Sequence, residues 1–250
     1  MVQSGDNIMK NTIQSYTDPF PFWVIDNFLD DKLAKQLSND FMPFDSPNWF
    51  SYNNPLEVKK TCNNWYYFPP TTYHFMQYLN SEEFIESLQK LTGIEKLYPD
   101  MGLHGAGWHI HGNGGKLNVH FDYNLHPKVN LQRKINIIIY LSQDWDPAWG
   151  GNITFWSHNP ETNRPLEQKQ KLDFKFNRAA IFDTSQNSWH GFNDPIQCPE
   201  GQYRKTIAMY YLVEPPEGTP DRKRALFAPS EAQENDAEIL KLIDERVKEI

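Results

Sequence analysis

The sequence predicts a mainly β fold with flanking helices, on three observations. From about Lys96 to Pro215, short β-type segments recur at close spacing with turn residues between them: "KLNVHFD", "INIIIYL", "NITFW", "KFNRAAIF", "SWHGF" and "RKTIAMYYLV". No helical period interrupts them, which favours a sandwich or jelly roll over a parallel sheet. Helical patterns lie only before and after this stretch, and 250 residues suit one β-rich domain with one sizeable core. The expected organisation is a single domain, 1–250, made of an N-terminal supporting βα region (1–95), a β core (96–216) and a C-terminal loop and helix (217–250).

After a polar leader, "FPFWVIDNFL" reads as a buried strand ending at Asp30, which can cap a helix from Asp31 to about Asn39 with Leu33 and Leu37 on one face. From Asp40 to about Pro70, Pro, Asn and aromatic residues favour ordered loops and short strands. A helix follows in which Asn80 and Glu83 form a capping-box pattern. Phe84, Ile85, Leu88 and Leu91 make its buried stripe, and Gly93 stands at its end. The tail from Glu231 reads as a helix capped by Ser230 and Gln233, with Ile239, Leu240, Ile243, Val247 and Ile250 on its apolar face.

A formal net charge of −8 argues against a nucleic-acid binder, whose broad basic surfaces match phosphate backbones. The one basic knot, "DRKRA" with Arg222 to Arg224, reads as a solvated loop in preference to an anion or substrate contact. Two cysteines, Cys62 and Cys198, make no disulfide framework and read as free thiols of a reducing cytoplasm. "MVQSGDNIMK" has no apolar core of an export signal, and no run of about 18 apolar residues marks a membrane span. A cytoplasmic location is therefore expected.

Within "NVHFDYN", His120 and Asp122 stand two apart on a predicted strand and so share one face, while Val119 and Phe121 face the other way. An imidazole and a carboxylate offered together suit Fe(II), Mn, Co or Zn. A third ligand would complete a two-histidine, one-carboxylate facial triad with three open positions. Among eight histidines, His190 in "SWHGF" is the best third ligand, since it follows the strand-like "AAIF" and opens a new β segment. In "YRKTIAMYYLV", Arg204, Thr206, Ala208 and Tyr210 share a face, and an arginine followed at i+2 by a hydroxyl can grip a carboxylate.

This order of residues resembles the 2-oxoglutarate- and Fe(II)-dependent dioxygenases of the prolyl-4-hydroxylase-like group. Their pattern H-x-D, a distant H, then R-x-S/T is matched by His120, Asp122, His190, Arg204 and Thr206. "IYLSQDWDPAWGGNITFW" is similar to the group's "YLN-x-DW…GG-x-L-x-[FL]" segment, and "HGNGG", His111 to Gly115, stands where members carry a glycine-rich turn before the H-x-D strand. The resemblance spans roughly Gly105 to Glu214. It implies a double-stranded β-helix core of the jelly-roll, cupin-like kind, supported by N-terminal helices and a C-terminal helix.

The resemblance further implies Fe(II) as cofactor on His120, Asp122 and His190, with 2-oxoglutarate and O2 as cosubstrates. Tyr140 would help Arg204 and Thr206 hold the far carboxylate of 2-oxoglutarate, and Asn136 and Ile138 would line the same pocket. The reaction would hydroxylate an unactivated C–H, with release of succinate and CO2. Because the carboxylate position is filled by Asp122, hydroxylation is favoured over halogenation. The chain departs from the oxygen-sensing members in carrying "WHIHG" where they have a tyrosine, which makes His109 and His111 further pocket residues toward substrate or cosubstrate. It also has a longer stretch between His190 and Arg204.

The cupin alternative, with His109 and His111 as an H-x-H ligand pair, lacks the downstream Glu. The substrate is expected to be peptidyl proline or a free amino acid-like metabolite, chosen by walls from Trp49–Phe75, His104–His111 and Glu214–Arg224. Two rival readings are a Zn-dependent hydrolase on the same three ligands, which would not need Arg204, and a non-catalytic β-sandwich binding module.

Overall fold

Alternation along each strand decides which side chains meet the helices and which face the opposite side, and this builds the molecule around one strongly curled sheet. The computed structural model describes residues 12–184 and 187–248. Residues 1–11 of the polar leader and Ile250, assigned above to a helix face, lie outside them, while the rest of that leader holds a strand, Ile13–Tyr16. Strands β1 (Ile13–Tyr16) and β2 (Phe22–Ile25) lead into α1 (Asp31–Asn39); β3 (Phe50–Asn54) and β4 (Glu57–Cys62) form a hairpin; α2 (Pro70–Leu79) and α3 (Glu82–Thr92) follow. Then come β5 (Tyr98–Pro99), β6 (Gly107–His111), β7 (Lys116–Phe121), β8 (Gln132–Tyr140), β9 (Ile153–Asn159), β10 (Arg164–Leu172), β11 (Ala179–Asp183), β12 (Trp189–Phe192), β13 (Arg204–Val213) and β14 (Leu226–Phe227), and finally α4 (Ala237–Lys248).

The strands run in the order β1-β2-β11-β8-β13-β6-β4-β7-β12-β9-β10, with β14 beside β7, β3 beside β4 and β5 beside β13. Every pairing is antiparallel, as in the jelly-roll half-barrel that the sequence predicts. On one face of its middle, Ile135, Ile137 and Ile139 of β8, Ile207, Met209 and Tyr211 of β13 and Trp108 and Ile110 of β6 pack under the helices. There they meet Leu37 of α1, Phe75 and Leu79 of α2 and Phe84 and Leu88 of α3. The other face is the polar one that carries the site.

Local signals fix most of the helix ends. Asp30 caps α1 by accepting from the backbone N–H of Lys32 and Leu33, as its sequence predicts. Gly93 ends α3 in the left-handed region at φ +72°, where a side chain would be strained. The cap of α3 is Ser81, not Asn80: the Ser81 hydroxyl accepts from Phe84 N, while the Asn80 amide turns back to Met76 O and closes α2. Two adjacent capping-type residues are ambiguous in sequence because each serves a different helix.

The helix α2, opened by Pro70 at its first position, lies between the expected loop region and the expected start of the next helix, a stretch for which the sequence reading assigns no element. Ser230 and Gln233 do form a capping box, but on a single 3-10 turn. The C-terminal helix begins at Ala237, with the Asp236 carboxylate accepting from Glu238 N and Ile239 N. Its Ile243 and Ile239 dock on Leu56 and Phe227. Of the aromatic segment, Trp49, Phe68 and Phe75 fill the core beneath the helices and do not wall a pocket. Cys62 and Cys198 are buried free thiols. No helix among the described residues is long and apolar enough to cross a membrane.

The Ser81 cap predicts that Ser81→Ala lowers stability by about 1 kcal/mol, the usual loss for a capped N-terminus, read as a lower urea midpoint at unchanged slope.

Candidate active site

The antiparallel ladder between β7 and β12 sets His190 directly opposite His120, with ring centroids 4.5 Å apart. Asp122 follows just past the end of β7, its carboxylate oxygens 3.7 Å from His120 Nε2 and 3.8 Å from His190 Nε2. The three ligand atoms lie within 4.8 Å of one another and all three residues are buried. No other such group of three occurs among the described residues. The H-x-H pair His109 and His111 forms no such group.

Second partners orient each donor. His120 Nδ1 is 2.9 Å from Asn118 O and His190 Nδ1 is 2.7 Å from Ser188 O. A carbonyl only accepts, so Nδ1 carries the proton and Nε2 keeps its lone pair facing the centre. Gly191 lets the strands come this close, since a Cβ there would stand 2.7 Å from Asn118 O. Phe227 stacks on His120 at 5.0 Å and Phe182 meets His190 edge-on at 4.7 Å, which fixes both ring planes.

Asp122 has a partner that the sequence reading did not single out. Arg133 Nη1 stands 3.1 Å from Asp122 Oδ1, while Arg133 Nη2 donates to His104 O at 2.9 Å. The guanidinium is clamped between the rings of Tyr123 and Tyr210, 3.4 and 3.3 Å from their centroids. Burial pushes the Asp122 carboxyl upward in pKa, but Arg133 and the two imidazoles overcome this and hold it well below the usual carboxylate value. Asp122 Oδ2 remains buried without a hydrogen-bond partner.

Simple alternation would place Arg133 with Ile135 and Ile137 among the core residues. A bulge at Lys134 changes this, for Tyr211 pairs with Ile135 but Leu212 pairs with Arg133. The extra residue turns Arg133 to the polar face, and no signal in "LQRKINIII" marks it.

Beyond the three donors a cleft of about 550 Å3 runs across β13, β8 and β6. The ladders set Arg204 opposite His111, and Thr206 opposite both His109 and Tyr140. Arg204, Thr206, Asn136, Ile138, His109 and His111 all line the cleft. Arg204 points inward and is 4% exposed. Its Nε donates to Gly151 O at 2.8 Å, and its guanidinium lies 4.9 to 5.5 Å from the rings of Phe192, Phe174 and Tyr140. A Cβ on Gly151 would stand 2.8 Å from Arg204 Cδ, so glycine makes room for it.

No carboxylate among the described residues pairs with Arg204. Burial lowers its pKa to about 10, and only Tyr140 acts the other way. Tyr140 lies beside this guanidinium but is packed on Phe174 at 4.7 Å; burial raises its phenol to about 12, and its hydroxyl has no partner. Asn136 Oδ1 and both ring nitrogens of His111 are likewise buried and unpartnered.

The three expected walls contribute in part: Tyr52 and Lys59 from the first, His104 and Gly105 from the second, Lys223 and Arg224 from the third. The basic knot is thus not simply a solvated loop. Lys223 and Arg224 line the cleft and Arg222 lies 4.4 Å over the Phe121 ring, because β14 folds back on β7 and carries the preceding loop with it. Phe227 and Arg246 complete the mouth.

The donor set fits a divalent iron: two Nε2 lone pairs and one unpartnered carboxylate oxygen, grouped on one side. A buried guanidinium without an acidic partner, near an unpartnered phenol, fits the far carboxylate of 2-oxoglutarate.

Arg133→Gln is predicted to weaken divalent-metal binding about 10- to 100-fold, as loss of a ligand's supporting partner does, read by Mn(II) titration of protein whose circular dichroism is unchanged. In metal-free protein, burial holds His190 at about 4, His104 at about 4 and His109 at about 3, against an ordinary 6.5. Unfolding would let each take up a proton below pH 6.5. Stability is therefore predicted to be full above pH 6.5 and to fall toward pH 4, by up to about 1.4 kcal/mol per pH unit for each histidine; urea melts across that window measure it.

Comparison with known proteins agrees with this chemistry. Residues 106–212 match the sequence family described as the 2OG-Fe(II) oxygenase superfamily. No curated protein matches the chain in sequence. Among solved structures it is similar to a Trichoplax adhaerens prolyl hydroxylase in complex with a hypoxia inducible factor oxygen degradation domain peptide fragment, at 15% identity and TM-score 0.55, covering 84% of this chain and 89% of that one. A Pseudomonas putida prolyl-4-hydroxylase aligns at 10% identity and TM-score 0.51 over 84% of this chain and 97% of that one. HygX from Streptomyces hygroscopicus, with nickel, 2-oxoglutarate and hygromycin B bound, aligns at 11% identity and TM-score 0.50 over 77% and 82%. At these identities the structures speak for the fold, the double-stranded β-helix. The matched span carries all the donor and anchor residues above, and that match together with the geometry of the site supports a prolyl-4-hydroxylase-like oxygenase of the 2OG-Fe(II) kind, with Fe(II) as cofactor and 2-oxoglutarate and O2 as cosubstrates.

Proposed function

We propose that His120, Asp122 and His190 hold the iron of this hydroxylase, that Arg204, Thr206 and Tyr140 anchor the far carboxylate of 2-oxoglutarate, and that Asn136 and Ile138 wall the same pocket. The observation that carries the reading is the buried Arg204 guanidinium, which has no acidic partner and lies in the same cleft as the three donors. A zinc hydrolase on the same ligands would leave that cation without a purpose. A binding module would leave Asp122 Oδ2 and the Tyr140 hydroxyl without partners as well.

Bound together, the metal and cosubstrate supply the oxidation: O2 is consumed, 2-oxoglutarate loses CO2 to become succinate, and a substrate C–H becomes C–OH. The protein's own part is placement. Arg133 holds Asp122 Oδ1 so that Oδ2 faces the centre, and the carbonyls of Asn118 and Ser188 keep both imidazoles in the metal-binding tautomer. Leu117, Ile138, Ile153 and Phe192 line the cleft near Arg204 and keep water from competing for the carboxylate.

The substrate is a peptidyl proline or a free amino acid-like metabolite. Similar structures include one solved with a peptide and one with hygromycin B bound, so peptides and small molecules are both bound on this fold. We assign the whole chain, 1–250, to one working unit, because residues 12–95 supply the helices over the apolar face of the sheet and residues from 217 to 248 contribute to the mouth of the cleft.

Anaerobic addition of Fe(II) and 2-oxoglutarate should give the visible charge-transfer band of a chelated keto acid. Asp122→Ala should abolish the band and succinate formation. Arg204→Ala should raise the 2-oxoglutarate concentration needed by at least about tenfold, the loss of one charged hydrogen-bonding partner. Absence of the band in the unmodified protein sinks the reading.

A further inference from the structure

Three neighbouring strands set a polar row across the floor of the cleft. β4 pairs with β6 so that Lys60 lies opposite Ile110 and Thr61 opposite His109, which brings Lys59 level with His111; β6 pairs with β13 so that His111 lies opposite Arg204. The row therefore reads Lys59, His111, Arg204, and all three line the cleft. With strands about 4.8 Å apart, the backbones of Lys59 and Arg204 stand about 10 Å apart, and their head groups are held by different partners, Arg204 by Gly151 O among Phe192, Phe174 and Tyr140 and Lys59 by Glu57 over Tyr52, so the row offers two cationic ends for two anions side by side.

His111 in the middle is 2% exposed, and neither of its ring nitrogens has a hydrogen-bond partner. A buried polar ring with both nitrogens unpartnered is costly unless a ligand completes it. Burial, then Arg204, then Lys59 push His111 far below the ordinary histidine pKa, so it stands neutral with one donor and one acceptor. Lys59 has the counter-ion Glu57 at 3.1 Å, but that carboxylate is shared with Arg246 at 2.6 Å. Two cations on one buried carboxylate leave a positive excess at this end of the row. The Lys59 side chain is 13% exposed, and its ammonium lies 5.0 Å over the Tyr52 ring, with hydrogens left for another acceptor.

We propose that the substrate carries an anionic group, a carboxylate or a phosphate, received between Lys59 and His111 beside the 2-oxoglutarate site. The inference rests on the oxygenase reading of the cleft and adds the class of molecule that it hydroxylates. Lys59 supplies the charge and the His111 N–H a directed hydrogen bond. Arg204 remains committed to the cosubstrate one strand away, which keeps the two anions apart.

The test uses enzyme loaded with Fe(II) and 2-oxoglutarate and a panel of charge-matched pairs: L-glutamate and L-glutamine, L-aspartate and L-asparagine, glycerol 3-phosphate and glycerol, and the dipeptides prolyl-glutamate and prolyl-glutamine. Succinate release above the substrate-free rate is read for each. The charged member of at least one pair should outpace its neutral partner. For that compound, Lys59→Gln should raise KM at least tenfold while Lys59→Arg keeps most of the wild-type affinity, and both variants should need the wild-type concentration of 2-oxoglutarate.

Neutral members that match or outpace the charged ones, a panel in which no charged member acts, or a Lys59→Gln enzyme with unchanged substrate KM would each overturn the proposal. So would a Lys59→Gln effect confined to 2-oxoglutarate. The anaerobic charge-transfer band separates the two levels: present, it leaves the oxygenase reading standing whatever the panel shows; absent from the wild type, it removes that reading first.

Discussion

The site depends on one register, the antiparallel pairing that sets His120 of β7 opposite His190 of β12. A slip of one residue would turn every side chain of β12 to the other face, sending His190 into the apolar layer and Trp189 into the cleft. The register is fixed by packing on both sides. Trp189 is held against Phe121 at 4.4 Å, and Thr154 Oγ1 of β9 donates to Gly191 O. The placement of His120 against His190 is thus a by-product of how the sheet must pack.

This cluster of side chains concentrates charge, and the protein manages it with pairs of unequal commitment. Asp122 would gain protons in so buried a place were it not for Arg133, which in turn is tolerated only because Tyr123 and Tyr210 cover both its faces and His104 O takes a second N–H. Arg204 has no such company. One guanidinium is spent within the protein and the other is held in reserve, and this asymmetry between two buried arginines about the same cleft is what distinguishes structural support from a ligand anchor.

Residues that act through strand alternation were legible in the sequence. His120 with Asp122, and Arg204 with Thr206, follow from a period of two, His190 from its place at the opening of a new β segment, and Tyr140 from the resemblance. What escaped needed information that a linear pattern does not hold. Arg133 reaches Asp122 only through the bulge at Lys134. Lys59 reaches the cleft because β4 bridges β6 and β7, a pairing between elements far apart in sequence. The basic stretch at 222–224 looked like surface because its burial depends on β14 folding back on β7. Among the helices, Asn80 and Ser81 are both good capping residues, and only the end of α2, which Asn80 closes, separates their duties.

The division of labour along the chain follows from the same geometry. All the proposed donors and cosubstrate anchors lie within residues 106–212, the span that matches the superfamily. Much of the mouth is built by Tyr52 and Lys59 before that span and by Lys223, Phe227 and Arg246 after it. These outer groups are tied together: Arg246 bonds Glu57 and covers Phe227 at 4.8 Å, and Phe227 stacks on His120. The ring of Phe227 therefore touches the His120 imidazole on one side and the mouth on the other. A change at the mouth that shifts Phe227 would be felt in the plane of the His120 imidazole, so substrate choice and metal geometry meet at this one aromatic contact, outside the span that defines the chemistry.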